Sequence, residues 1–577
     1  MSDMAHLGRF AALCAALTLA GLAAGCRTAP PARPAAAHSN QDTSALTVMA
    51  EVALEKGDCR VAAEDYATAA TGGSVNLARR ASEVGLACQD MPAAWSAAER
   101  WRTLAPGDHD ASLVYGTIAL SLYRIPQARD ALTPILKGSG PKADRDALTV
   151  LSALSDDPDV GASPTLAALD RTVDAHSSSL LVLTAFGTLA LEAYDFNLAE
   201  QRAHQVLARD AASGSALRLL ARVRVLQGDA DGAMSAARDA MHADPGGSAF
   251  ELADVLIGLD RLEEARQELE RLRTTDASVG EIDRRLALLA YQSGDVADAR
   301  RRFNDLIDRG EASESALLYL GDIAARSGDV DGALTDYRQL SDSPMALTAR
   351  TRAAGILLDR GKRGEALDLL DSYESEHPEN GIDVALAKAD LLADHGDAAD
   401  GLSFIATALE QYPRHPRLEY ERATLLERAG RVSDSVAAFE QMLRQRPGDP
   451  NLMNALGYTL ADHSMELSRA EGLIRHALSS TPDNPAVLDS LGWVRLRRGD
   501  ARAALPLLER AYLISRDPEI AAHWGEALWV GGQRDQARKV WADALVRHPE
   551  SQKLKDTVQR LVSPAGTWPP PAHTSPR

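Results

Sequence analysis

The sequence predicts an all-α solenoid of about fifteen helix-hairpin units in series. Composition and length give the first reason. The chain has 577 residues, too many for one compact core. Only 5 % of them are aromatic, alanine and leucine abound, and β-branched runs are scarce, which favours helix throughout. The second reason is a small residue that returns every 32–35 positions: Ala62, Ala94, Ala128, Ala199, Ala233, Ala265, Ala299, Ala333, Ala366, Gly401, Ser435, Ala470, Ala504 and Ala537. One interval, of 71 residues, is long enough for two units. The third reason is punctuation at fixed offsets. Glycine stands five residues before many of these positions (Gly57, Gly228, Gly294, Gly328, Gly361, Gly396, Gly430, Gly499, Gly532), and proline stands twelve after seven of them (Pro106, Pro245, Pro378, Pro413, Pro447, Pro482, Pro549).

Residues 1–25 read as a targeting signal. Arg9 precedes "FAALCAALTLAGLAAGC", an apolar run too short to span a bilayer comfortably and ending in small residues. Leu22-Ala23-Ala24-Gly25-Cys26 resembles a bacterial lipobox, which implies cleavage before Cys26 and acylation of its thiol; the alternative is an ordinary secretion signal. Arg27 follows, rather than the aspartate that typically retains lipoproteins at the inner membrane, so the resemblance implies the periplasmic face of the outer membrane. Residues 26–42, "CRTAPPARPAAAHSNQD", form a Pro/Ala-rich tether with a reach of about 50 Å at ~3.1 Å per residue. Residues 563–577 form a Pro-rich disordered tail.

Between them, residues 43–562 carry the repeat. Each glycine ends a first helix, where a left-handed residue is needed. The aspartates that follow (Asp58, Asp229, Asp295, Asp329, Asp397, Asp500) are placed to cap the second helix. The proline ends that helix, because it cannot continue the hydrogen-bond ladder. A second glycine series, Gly187, Gly321, Gly457, Gly492 and Gly525, lies inside the first helices about twelve residues before the small positions. Glycine there costs about 1 kcal/mol of helix propensity; the expectation is that it lets the backbone approach the small residue, Gly492 against Ala504. Residues 138–180 fit poorly, because "SDDPDVGASP" interrupts the pattern, so that unit is expected to be irregular. Residues 551–562 read as a closing helix.

Cys59 and Cys88 are the cysteines left after the signal and the lipidation site. Antiparallel packing brings their helix ends together and an oxidising compartment permits a bond; unbonded, they would serve as small buried apolar residues.

The repeat, with "ALGY…A…AL…P" and "SLGWV…GD…AL…ERAY", resembles the tetratricopeptide repeat, which implies a right-handed superhelix with a concave inner wall. Binding residues are then expected on the inner face of the first helices. Near the C-terminus these are Asn454, Tyr458, Asp489, Trp493, Arg497, Glu526 and Trp529; the three rings either form an aromatic stripe suited to an extended polypeptide or pack between adjacent repeats. Further along, Arg218, Arg222, Arg284, Asp322, Arg326 and Arg428 are candidate polar contacts. Trp541, Trp95 and Trp101 are expected to pack in the core.

A net charge of −20 excludes a nucleic-acid partner. No nucleophile elbow, Walker loop, dinucleotide fingerprint or metal-ligand spacing occurs, so the sequence points to no enzyme, cofactor, metal or small-molecule substrate. Lipobox, Pro-rich tether, repeat array and the final "NALGYTLAD…LDSLGWV…AAHWGEALW" block together resemble the proteobacterial outer-membrane TPR lipoproteins of the LbcA type. That resemblance implies an adaptor that binds a periplasmic carboxyl-terminal processing serine protease and its protein substrates, such as peptidoglycan hydrolases, and promotes their proteolysis. The competing reading is a TPR scaffold for envelope assembly or polysaccharide export.

Overall fold

The computed structural model describes residues 43–562 apart from 57, 137–139, 156–159, 173–178, 275–278, 312–313, 396–397 and 549–550. The signal, Cys26, the tether and the tail therefore lie outside the described residues, as do Gly57, Gly396, Asp397 and Pro549. Thirty-one α-helices run from Thr43–Glu55 to Gln552–Val562. They fall into fifteen consecutive pairs and a closing helix, with no strand among the described residues. None of the described helices is long and apolar enough to cross a membrane. The chain divides into two compact units, Met1–Tyr115 with Glu410–His415, and Gly116–Leu409 with Pro416–Arg577.

The pair Pro485–Arg497 and Ala501–Ser515 shows how the sequence makes a hairpin. Pro485 occupies the first turn, where its missing N–H is no loss. The Asn484 side chain accepts from the N–H groups of Ala486 and Val487 at 3.0 and 3.3 Å. The first helix stops at Gly499, whose φ of +85° suits glycine. Asp500 then caps the second helix, accepting from the N–H of Ala503 at 3.0 Å. Asp229, Asp295 and Asp329 cap their helices in the same way, whereas Asp58 makes no side-chain capping bond.

All fourteen recurrent small residues are buried. What they face differs from expectation. A Cβ on Gly492 would lie 2.5 Å from Cγ of Leu508 and 3.4 Å from the carbonyl of Ala504. The glycine thus makes room mainly for the large side chain one turn beyond the small residue. Gly457 receives Ile474, Gly321 receives Tyr337, Gly525 receives Trp541 and Gly116 receives Leu132, each four residues after its small position. Gly187 is the variant case, because Leu219 of the next hairpin fills its space. A fully buried side chain of this size contributes about 1.5–3 kcal/mol, more than the helix propensity lost at the glycine.

The glycines Gly228, Gly294, Gly328, Gly361, Gly430, Gly499 and Gly532 all have φ between +71° and +86°. At the same register Gln89, Tyr123, Tyr194 and Asp260 hold φ of +52° to +62° without being glycine. A side chain there costs about 1–2 kcal/mol, so another contact must hold it.

The irregular region lies where the sequence breaks. The helices Pro141–Ser155 and Ala162–Leu169 are adjacent in sequence but barely pack on each other. The second packs instead on Ile125–Ile135, and both pack on Leu180–Glu192.

In the first unit, Cys59 and Cys88 are joined by a disulfide that closes a separation of 29 residues. Trp101 is buried, and the Trp95 and Tyr115 rings pack at a tilt with centres 4.5 Å apart. We expect reduction of the disulfide to lower the stability of residues 43–105 by about 3–4 kcal/mol in the chain-entropy model. Hydrogen exchange with and without reductant checks this, with helices beyond residue 116 unaffected.

Candidate functional site

Successive first helices touch one another at the C-terminal end. Pro450–Asp462 packs on Pro485–Arg497, that helix on Pro518–Val530, and that one on the closing helix Gln552–Val562. Their facing side chains form one network. The Tyr458 hydroxyl passes over the intervening helix and donates to Glu519 at 2.7 Å, 61 residues away. Trp493 donates from Nε1 to Asp462 at 3.0 Å and stacks on His523 at 4.1 Å, with Arg497 5.4 Å from its ring centre. His523 Nδ1 lies 2.9 Å from the Asp489 carboxylate, and the Glu526 carboxylate pairs with Arg560 at 2.5 Å. Arg497 also donates to Ser464 Oγ.

Burial decides the role of these groups. Trp493 is 5 % exposed, Asp489 5 % and Glu526 8 %. They hold the last hairpins together instead of lining an open wall. The expected aromatic stripe is broken for a geometric reason. Tyr458 and Trp493 follow their glycines by one residue and Trp529 follows its glycine by four, which rotates Trp529 about 60° round the helix. Glu526 takes the register of Trp493, and Trp529 turns to its own second helix, 5.8 Å from Trp541 and beneath Arg534 and Arg538. Trp541 itself is fully buried. Asn454 is half-buried, with Oδ1 unpartnered.

The polar candidates are also engaged within the chain. Arg218 donates to Asp244 at 2.9 Å and to Ser248 at 2.8 Å. Arg284 pairs with Glu281, and Asp322 pairs with Arg352 while accepting from the Tyr337 hydroxyl at 2.7 Å. Arg326 lies 4.9 Å from the centre of the Tyr291 ring, and Arg428 pairs with Asp394 at 2.7 Å. Arg222 is exposed, close enough to feel Glu251 and Asp254.

Several groups on first helices escaped the sequence reading because their significance arises only between repeats. His523 is one. Burial opposes its charged form, but Asp489 outweighs burial and holds the imidazole above its usual range. Glu251 is 7 % exposed, and burial with the nearby Asp254 raises its carboxyl to about 7. Glu421 is pushed to about 7 by burial and by Asp390 across the repeat interface. Glu427, Asp462 and His463 offer ligand atoms within 4.8 Å of one another, but Glu427 already serves Thr459 and His463.

The tetratricopeptide-repeat family profile matches residues 184–248, 284–343 and 386–450. These segments, about a third of the chain, are similar to tetratricopeptide repeats. The TPR repeat-containing protein PA4667 of Pseudomonas aeruginosa is 33 % identical over 213 residues, 37 % of this chain. That match spans 36 % of the relative's own length. Among solved structures, yeast Tom70 is 14 % identical, covering 90 % of this chain and 94 % of that chain, with a TM-score of 0.35. A thermophilic TPR protein of Thermus thermophilus is 20 % identical, covering 31 % and 97 %, with a TM-score of 0.29. The repeat assignment rests on the family match and the hairpin register, not on these superpositions.

The Glu421 carboxyl gives a pH prediction. Its folded value lies above its unfolded value, so the folded state holds the proton longer and stability falls as pH rises from about 4.5 through about 7. Glu421→Gln should raise Tm at pH 8 and leave it nearly unchanged at pH 4.5, as read by calorimetry.

Proposed function

We propose that the protein is a non-enzymatic adaptor, anchored by lipid on Cys26 to the periplasmic face of the outer membrane. It binds a carboxyl-terminal processing serine protease and that protease's protein substrates. The observation that carries this reading is the plan of the sequence: lipobox, Pro-rich tether, repeat array and the "NALGYTLAD…LDSLGWV…AAHWGEALW" block. The repeats support it by supplying a long series of first-helix faces for polypeptide contact. On those faces Arg222, Arg326, Arg428 and Arg497 are the exposed candidate contacts, and Tyr458 and Asn454 are half-buried.

The mechanism needs no catalytic group. A scaffold that holds protease and substrate together turns a bimolecular encounter into an intramolecular one at an effective concentration in the millimolar range, on the order of what short tethers give. A tether of about 50 Å lets the array work in the space beside the membrane without leaving it.

The test is affinity purification of the lipidated full chain from detergent-solubilised envelopes, followed by reconstitution. The expected result is recovery of a processing protease whose cleavage of a co-purified substrate is at least tenfold faster with the adaptor. Cys26→Ser should release the protein from the membrane fraction. Recovery of an outer-membrane pore or export synthase, with proteolysis unchanged, would replace this reading with the envelope-assembly one.

A further inference from the structure

Within the second unit the chain returns to touch itself 287 residues later, at two places. At the first, Asp483 is 2 % exposed and faces the start of the helix Phe196–Leu207. Its carboxylate accepts from the Phe196 N–H at 3.1 Å, and its own N–H donates to the Tyr194 carbonyl at 2.9 Å. The first N–H groups of a helix have no partner inside it, so a carboxylate from a distant hairpin completes this cap. Arg510 pairs with the same carboxylate. At the second place, Arg547 grips Asp260 through both guanidinium nitrogens, at 2.9 and 2.5 Å. Arg547 also pairs with Asp543 at 3.4 Å, and the charge of Arg516 reaches Asp260.

The two contacts share one register. Tyr194 and Asp260 both occupy the left-handed position that ends a first helix, where most other units carry glycine. Tyr123, a third non-glycine at that position, lies beside Gly448, just as Tyr194 lies beside Asp483. Between the two contacts, the helix Gly214–Gln227 touches the helix Ala501–Ser515. Three of the four departures from glycine therefore fall where the second unit meets itself. The contacts are also of a different kind from the hairpin interfaces. Within each hairpin the core is apolar, whereas these are a few charged and backbone groups, so they can part without unfolding a repeat.

We propose that Asp483 with Phe196 and Tyr194, and Arg547 with Asp260, act together as a two-point latch that holds the second unit closed upon itself and releases as one step. Opening frees two rows of hairpins from each other while every hairpin keeps its core.

The test uses the full chain and three variants, Asp260→Arg, Arg547→Asp and the double reversal, read by hydrogen-exchange mass spectrometry on peptides covering 194–198 and 481–485. These peptides lie away from the altered pair. The expected result is at least tenfold faster exchange there in each single variant, with the core of Gly214–Gln227 unchanged. The double reversal, which restores the ion pair in opposite sense, should return exchange to within twofold of the original. Unchanged exchange in the single variants, or no recovery in the double variant, would overturn the latch.

Discussion

The fit of one large side chain against a glycine on the facing helix underlies the rest of this structure. Leu508, Ile474, Tyr337, Trp541 and Leu132 each enter the space left by a missing Cβ. This draws the two helices of a hairpin together and fixes their register. Each hairpin then offers its neighbour a complementary face, and the array grows by nearest-neighbour contact instead of around one central core. Caps and left-handed turns set where helices begin and end, but the close approach sets how they pack.

Much of this was legible in the sequence, because it depends on residues within one unit. The buried small positions, the left-handed glycines and the aspartate caps all repeat at fixed offsets, and a local rule leaves a periodic trace. The identity of the glycine's partner was less legible. The periodic small residue advertised itself, while the side chain four positions later varies from leucine to tryptophan and leaves no repeated letter. Tyr123, Tyr194 and Asp260 were illegible for a stronger reason. They break the glycine rule beside hairpins some 290–330 residues away, and no local pattern reports that distance.

The candidates on the first helices show the same division. Placing Asn454, Tyr458, Asp489, Trp493, Arg497, Glu526 and Trp529 on first helices followed from periodicity. The engagement of Tyr458, Asp489, Trp493 and Glu526 did not, because Glu519, His523, Asp462 and Arg560 come from neighbouring units and satisfy them there. Side chains that satisfy one another between units join the repeats there, and periodicity within one unit does not distinguish such a joint from an open wall.

The most direct test of the packing rule is a double-mutant cycle on Gly492 and Leu508, measured by denaturant unfolding of the full chain and hydrogen exchange across residues 485–515. If the glycine exists to admit Leu508, Gly492→Ala destabilises the native hairpin by about 1–3 kcal/mol through overpacking. In the Leu508→Ala background the same change becomes neutral or favourable, because alanine is the better helix former. An equal loss in both backgrounds would contradict the account.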